Sequence, residues 1–201
     1  KLFSDLAGWV QDQGFSAARI QNFVREYNIN MNEFENVPYK TFNEFFIRKF
    51  IPGARPFPSD DQILPAFAEA RYLVAENISC KQTFQVKDAK IDLVQLLGDS
   101  ELAQQFDGGT LFIARLCPVD YHRFHFPVDC EVTRFYKISG ADHSVNPDAI
   151  KARPELFLQN ERHVTILKSD VFGHFALIDV GAFGVGKIVQ SHSLSTPAKK
   201  G

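Results

Sequence analysis

Gly108-Gly109-Thr110-Leu111-Phe112-Ile113-Ala114-Arg115-Leu116-Cys117-Pro118-Val119-Asp120-Tyr121-His122-Arg123-Phe124-His125-Phe126-Pro127 is the stretch from which the fold is read. A glycine pair opens a short apolar run, residues 110–116, and the run leads into two histidines three residues apart, between Asp120 and Pro127. Short apolar runs bounded by Gly, Pro, Asn or Asp predict strands. Others lie at residues 70–74, 130–138, 163–167 and 175–180. Gly173, Gly181, Gly184 and Gly186 crowd the final third, which suits tight turns, bulges or close backbone approach in a β structure. Residues 91–97, closed by Gly98, and residues 100–106 predict two short helices between the strands.

Upstream the texture is helical. Leu2, Phe3, Leu6, Trp9 and Val10 recur at three- and four-residue spacing, as do Ile20, Phe23, Val24 and Tyr27. Ser4 or Ser16 is a candidate cap for these segments. Residues 41–50 predict a further helix, carrying Phe42, Phe45, Phe46 and Phe50 and opening on Thr41-x-x-Glu44, the form of a capping box. Pro52-Gly53 stops it, and a linker rich in Pro, Ser and Asp runs to Asp61. The switch of period near residue 64 predicts an α+β protein: N-terminal helices on a compact, β-rich barrel or sandwich domain. The expected division is a helical, membrane-facing segment at residues 1–56 and a β-rich catalytic domain at residues 57–201. The Phe-rich stripes have two readings that are compatible. They pack inward on the β domain, or an apolar face flanked by Arg19, Arg25, Arg48 and Lys49 lies on lipid.

Composition narrows the classes. A chain of 201 residues that is 45% hydrophobic can bury a full core, and a net charge of −2 exerts no general pull on nucleic acid. Twenty phenylalanines against one tryptophan and one methionine point to a core, or an exposed apolar face, built on Phe. Cys80, Cys117 and Cys130 make no disulfide framework and fit a reducing compartment. No stretch approaches the roughly 20 apolar residues of a membrane-spanning helix, and no signal peptide is visible. Lys1 is not an initiator and Gly201 follows Lys199-Lys200 in mid-phrase, so both ends read as artificial.

His122 and His125, beside Asp, Tyr and Arg, are the first candidates for chemistry, because histidine titrates nearest neutral pH. On a strand they would face opposite ways, whereas in a turn they could converge. A metal site needs a third ligand, and no Cys or His stands at a conventional spacing, which leaves Cys117 and Cys130 as the remaining candidates. Two satisfied core histidines are the structural alternative, and proton transfer is the chemical one.

The tract Asp120-Tyr121-His122-Arg123-x-His125-x-Pro127 resembles the D-Y-H-R-x-H-x-P signature of the phosphatidylserine decarboxylases. The resemblance extends over most of the chain. Phe42-Asn43-Glu44-Phe45-Phe46-x-Arg48 and Pro52-Gly53-Ala54-Arg55-Pro56 are similar to the family's F-N-D/E-F-F-x-R and P-G-A-R-P segments. Leu96-Leu97-Gly98-Asp99, Phe106-x-Gly108-Gly109, Ser144-Val145-Asn146-Pro147, Asn160-Glu161-Arg162, Phe172-Gly173 and Val180-Gly181-Ala182 with Val185-Gly186 match further family motifs in order.

What the resemblance implies is specific. In that family a downstream serine, activated by an Asp-His pair, attacks the preceding peptide carbonyl, and the chain opens to leave a covalent pyruvoyl group at the start of an α chain. By position His125 is the base for self-cleavage and His122 the participant in decarboxylation. Ala68-Glu69-Ala70-Arg71 stands where the family has A-D-x-R, so Glu69 takes the place of the triad Asp, with its charge one methylene further out. The expected activity is decarboxylation of phosphatidylserine to phosphatidylethanolamine at a membrane surface, on the side facing a reducing compartment. The expected partners are the pyruvoyl-bearing α chain, absent here, the lipid, and a second copy as a homodimer. Two alternatives are a related decarboxylase of free aromatic amino acids and a catalytically inactive lipid-binding homologue. Cys130, Asp88 after Lys87 and Lys187 after Gly186 replace residues usual in the family. Ser195-Thr196 lacks the glycine of the cleavage motif and comes too early, so Ser195 is not the expected nucleophile.

Overall fold

A computed structural model of the chain describes residues 2–81, 83–86, 89–153, 155–184 and 188–201, with the side chains of residues 2–5, 84–86, 89–90, 147 and 157 excepted. The departures at Asp88 and Lys187, the Val185-Gly186 motif, the Ser4 cap and the Leu2 and Phe3 side chains therefore lie outside the described residues.

The helical start is α1, Leu2–Gln11, a 3-10 turn at Gly14–Arg19, α2, Ile20–Glu26, and α3, Phe42–Phe46. Phe42 and Phe45 of α3 bury with Ile20, and Phe23, Val24, Met31 and Tyr39 close around them. Ser16 ties the group together. Its hydroxyl donates to the Gln11 carbonyl and accepts the Phe42 amide, both at 2.8 Å, so it supplies a cap to a helix far from it in sequence. The Thr41 hydroxyl accepts the Glu44 amide as a capping box requires, and the Glu44 carboxylate turns back to the Lys40 amide. The helix expected to reach residue 50 ends at Phe46. Beyond it Arg48 turns inward, and Phe50 makes an antiparallel bridge with Phe34.

The β part begins with β1, Arg71–Ala75, and the short strands β2, Phe84–Val86, and β3, Ala89–Ile91. Next come α4, Leu93–Leu97, α5, Ser100–Gln105, and β4, Leu111–Arg115. Asp92 and Asp99 cap α4 and α5 by accepting the Gln95 and Leu102 amides, and Gly98 ends α4 in the left-handed region at φ 67°. β5, Cys130–Ile138, the short helices α6, Pro147–Ala152, and α7, Leu156–Gln159, then β6, Arg162–Ser169, β7, Gly173–Val180, and β8, Pro197–Ala198, complete the order.

β1 pairs antiparallel with β4, β2 with β3, and an antiparallel sheet runs β7-β6-β5-β8 with a bulge between Val132 and Arg134. The protein is thus α+β, as its patterning implies. β6 lies between β7 and β5 and is buried along almost its whole length, with Arg162, His163, Thr165 and Ser169 buried alongside Val164, Ile166 and Leu167. Val164 and Ile166 face a core made with Leu93, Leu96, Leu97, Leu102 and Leu158. Leu167, on the other face, packs with Val128, Cys130, Val132 and Leu177, against which Phe67, Phe124 and Phe126 lie. The histidine tract is therefore pressed against the sheet by its own phenylalanines.

Arg162, 4% exposed, donates to the Leu96, Gln95 and Asn160 carbonyls at 3.2, 3.1 and 2.8 Å and to the Leu158 carbonyl. These include helix-end carbonyls that have no partner within their helix. Asn160, fully buried, accepts the His143 amide and donates to the carbonyls of His143 and Gly181. The family-like Asn-Glu-Arg and Val-Gly-Ala segments are in this way joined by hydrogen bonds.

Candidate active site

The tract connects β4 to β5, and most of it has no regular structure. It opens on a turn. The Asp120 amide donates to the Cys117 carbonyl at 2.9 Å, and the Asp120 carboxylate accepts the Cys117 amide. A short Asp side chain favours such turns by this local bond. The Cys117 carbonyl then faces His122, whose Nε2 is 3.0 Å away. A carbonyl only accepts, so Nε2 carries the proton and Nδ1 keeps its lone pair. The His122 ring stacks on Phe46, with 3.9 Å between centroids and 23° between planes. Burial pushes its pKa from 6.5 down to about 4; the Cys117 carbonyl opposes this and the Arg48 charge reinforces it. His122 is a neutral imidazole at neutral pH.

His125 is held differently. Its amide donates to the Phe67 carbonyl at 2.8 Å, and Ala68 bridges Phe124, so residues 67–68 run antiparallel to residues 124–125. Its Nδ1 is 3.1 Å from the Gly201 carbonyl, which by the same reasoning leaves Nε2 as the acceptor. Its ring lies parallel to Tyr121, 5.8 Å away at 10°, with Phe57 at 5.4 Å. The two histidines thus sit in one loop with separate partners.

Glu69 reaches the tract across 52 residues of sequence: its Oε2 accepts the Tyr121 amide at 3.1 Å. Its Oε1 accepts Nε and Nη2 of Arg55 at 3.3 and 3.1 Å, and that guanidinium also pairs with Glu33 at 2.8 Å. The carboxylate is therefore tied to the residue just before His122, whose ring lies against His125. Its own oxygens are occupied by Tyr121 and Arg55, while His125 Nδ1 is occupied by Gly201.

The floor of this site is a buried arginine. Arg48, read as one of several basic flanks of a lipid face, is only 1% exposed. Its guanidinium lies between the Phe34 and Phe45 rings, 4.4 and 4.9 Å from their centroids, and Nη2 donates to the Val119 carbonyl at 2.7 Å. Ring faces stabilise a cation without a carboxylate. Arg19, Arg25 and Lys49 are exposed. The available signal was an arginine inside an otherwise apolar F-F-x-R phrase.

Cys130 is a buried core residue whose thiol is pushed up to about 11, by burial first and then by Asp129. Ser195 is exposed, at φ 57°, with its amide donating to the Val132 carbonyl. Among the described residues no three His, Cys, Asp or Glu side chains gather as a metal site, and no helix is long and apolar enough to cross a membrane.

Comparison with known proteins supplies the rest. The sequence model of the family described as phosphatidylserine decarboxylase matches residues 42–201. Relatives named phosphatidylserine decarboxylase proenzyme match all of this chain. The protein from Ruminiclostridium cellulolyticum is 41% identical over 207 residues and 69% of its length is covered. Those from Fusobacterium nucleatum and Clostridium novyi are 39% and 41% identical over 203 residues, with 68% and 69% covered. With the histidine tract, the F-F-x-R floor and the Asn-Glu-Arg brace inside the aligned region, this chain belongs to the phosphatidylserine decarboxylase family of carboxy-lyases.

Proposed function

We propose that the protein is a pyruvoyl-dependent enzyme that decarboxylates phosphatidylserine to phosphatidylethanolamine after cutting its own chain at a downstream serine. The observation that carries this reading is a match along the whole chain, at about 40% identity, to proteins named as proenzymes of that activity. The residues present suit a pyruvoyl group in one respect. His125 offers an Nε2 with no hydrogen-bond partner among the described residues, on a ring braced by Tyr121 and Phe57, the form of base that a weak serine nucleophile needs. When bound, the pyruvoyl carbonyl would supply an electron sink for the bond pair left on the substrate carbon as CO₂ departs.

The protein's own residues divide the work. His125 takes the serine hydroxyl proton during self-cleavage. Glu69 provides the negative charge near that base and orients it through the Tyr121 amide. His122, with Nδ1 unprotonated, is the relay that passes a proton to the carbon that loses CO₂. The pyruvoyl-bearing α chain is the covalent product of the same cleavage and the partner of this segment. The enzyme works as a peripheral protein on a bilayer. Leu6, Trp9 and Phe15 are 55%, 59% and 67% exposed near the N-terminus, with Arg19 and Arg25 nearby, and an apolar surface edged by basic groups suits an anionic lipid surface.

The test uses the full-length proenzyme with phosphatidylserine vesicles, reading intact mass and CO₂ release. The parent should split in two, with a carbonyl-reactive, blocked N-terminus on the smaller chain. His125→Ala should stay whole, and His122→Ala should split yet release little CO₂. A parent that stays whole and releases no CO₂ overturns the reading. A parent that prefers free tryptophan overturns the lipid assignment.

A further inference from the structure

The end of α3 and the residues after it grip the histidine tract at successive points. Phe46 stacks on His122 at 3.9 Å. The Ile47 carbonyl accepts Nε of Arg123 at 2.7 Å. Arg48 donates from Nη2 to the Val119 carbonyl at 2.7 Å, and the Phe50 ring lies 4.1 Å from Tyr121. His122 is thus bracketed, with its chain held before it at Val119 and after it at Arg123. The Arg48 contact is unusual in cost. A guanidinium that is 1% exposed has lost its water, and its Nε and Nη1 find no hydrogen-bond partner among the described residues. An apolar residue of similar volume would pack there without that penalty. What such a residue could not do is donate to Val119. That carbonyl lies in the same turn, Cys117 to Asp120, whose Cys117 carbonyl accepts Nε2–H of His122. Holding the turn holds the imidazole.

We infer that Arg48 is a positioning residue for decarboxylation: clamped between Phe34 and Phe45, it fixes the Cys117–Asp120 turn and through it the orientation and tautomer of His122. The inference rests on the proposed role of His122. It assigns Arg48 no part in self-cleavage, because the His125 amide is held by the Phe67 carbonyl and its Nδ1 by the Gly201 carbonyl, neither of which Arg48 touches. A purely structural arginine would affect both reactions together. A positioning arginine separates them.

The experiment compares the full-length proenzyme with its Arg48→Met, Arg48→Lys and His122→Ala variants on phosphatidylserine vesicles, reading extent of self-cleavage, KM, kcat and melting temperature. Arg48→Met should cleave itself as the parent does and keep KM within about twofold. Its kcat should fall about tenfold or more, the scale on which a displacement near 1 Å is felt at a reacting group. Arg48→Lys keeps the charge without the planar fork and should fall in between. If Arg48→Met does not accumulate as folded protein, Arg48→Lys decides by the same criteria. A kcat within twofold of the parent overturns the inference, and so does a loss of self-cleavage in proportion to kcat. His122→Ala separates the failures. If it retains full kcat, the role of His122 is wrong and the inference falls with it. If it is inactive while the Arg48 variants are fully active, the inference alone is wrong.

Discussion

Replacing Asp179 with Asn should make the protein more stable at neutral pH and change nothing at pH 4. Asp179 lies on β7 opposite His163 of β6 and accepts Nε2 of Gln190 at 2.8 Å. Burial pushes its carboxyl from 3.8 up to about 6, and the Gln190 bond only partly offsets this. The folded state therefore binds the proton more tightly than the unfolded chain does. The stability linked to that proton is complete below pH 3.8 and is lost as pH rises through about 6. Each factor of ten in proton affinity is worth about 1.4 kcal/mol, so ionised Asp179 costs the fold roughly 3 kcal/mol above pH 7. Asn keeps an oxygen for Gln190 and carries no charge to desolvate. Urea unfolding followed by circular dichroism, from pH 4 to pH 8, compares parent and Asp179→Asn. With slopes of about 1–3 kcal/mol per molar urea, the variant's midpoint should lead by about 1–3 M at pH 8 and by almost nothing at pH 4. Asp99, Asp107, Asp129 and Glu155, held low first by backbone or lysine hydrogen bonds, change stability in the opposite direction with pH. They are common to both proteins and cancel in the difference. A difference that is flat across pH, or that favours the parent as pH rises, refutes the argument.

Gly140→Ala should prevent folding: an added Cβ would lie 2.4 Å from the Asn160 carbonyl carbon and the Gln159 oxygen and 2.5 Å from the Glu161 nitrogen, all backbone atoms. Loss of soluble protein is expected, and a melting temperature within about 3 °C of the parent would count against it. Asn160→Ala strands the His143 and Gly181 backbone groups it serves and should cost about 2–4 kcal/mol in chemical unfolding, whereas a cost below about 1 kcal/mol would mean the groups find other partners. Changing Leu6, Trp9 and Phe15 together to Ser should lower flotation with phosphatidylserine vesicles by at least about tenfold while leaving the fold intact, since all three side chains are exposed. Unchanged flotation would remove them as the lipid contact.

Elements with local causes are legible in the residues themselves. Asp92, Gly98 and Asp99 place α4 and α5 because a cap bond reaches only a few residues. The apolar runs of β4 to β7, and the change of period near residue 64, were legible because burial on a sheet face repeats along the chain. The family-like tract was legible as a string of residue types. How that tract is held depends on contacts distant in sequence. The helix expected through residue 50 stops at Phe46, and beyond it Arg48 lies between two ring faces and donates to a carbonyl 71 residues away. Ser16 caps α3 rather than its own segment, across 26 residues. Glu69 meets Tyr121, and His122 and His125 take separate partners, through contacts with Cys117, Phe46, Phe67 and Gly201. β2, β3 and β8 are too short to announce themselves and exist by pairing. Propensity and period act over a few residues, whereas the hydrogen bonds that orient these side chains close loops of tens of residues and form only when the core brings their ends together.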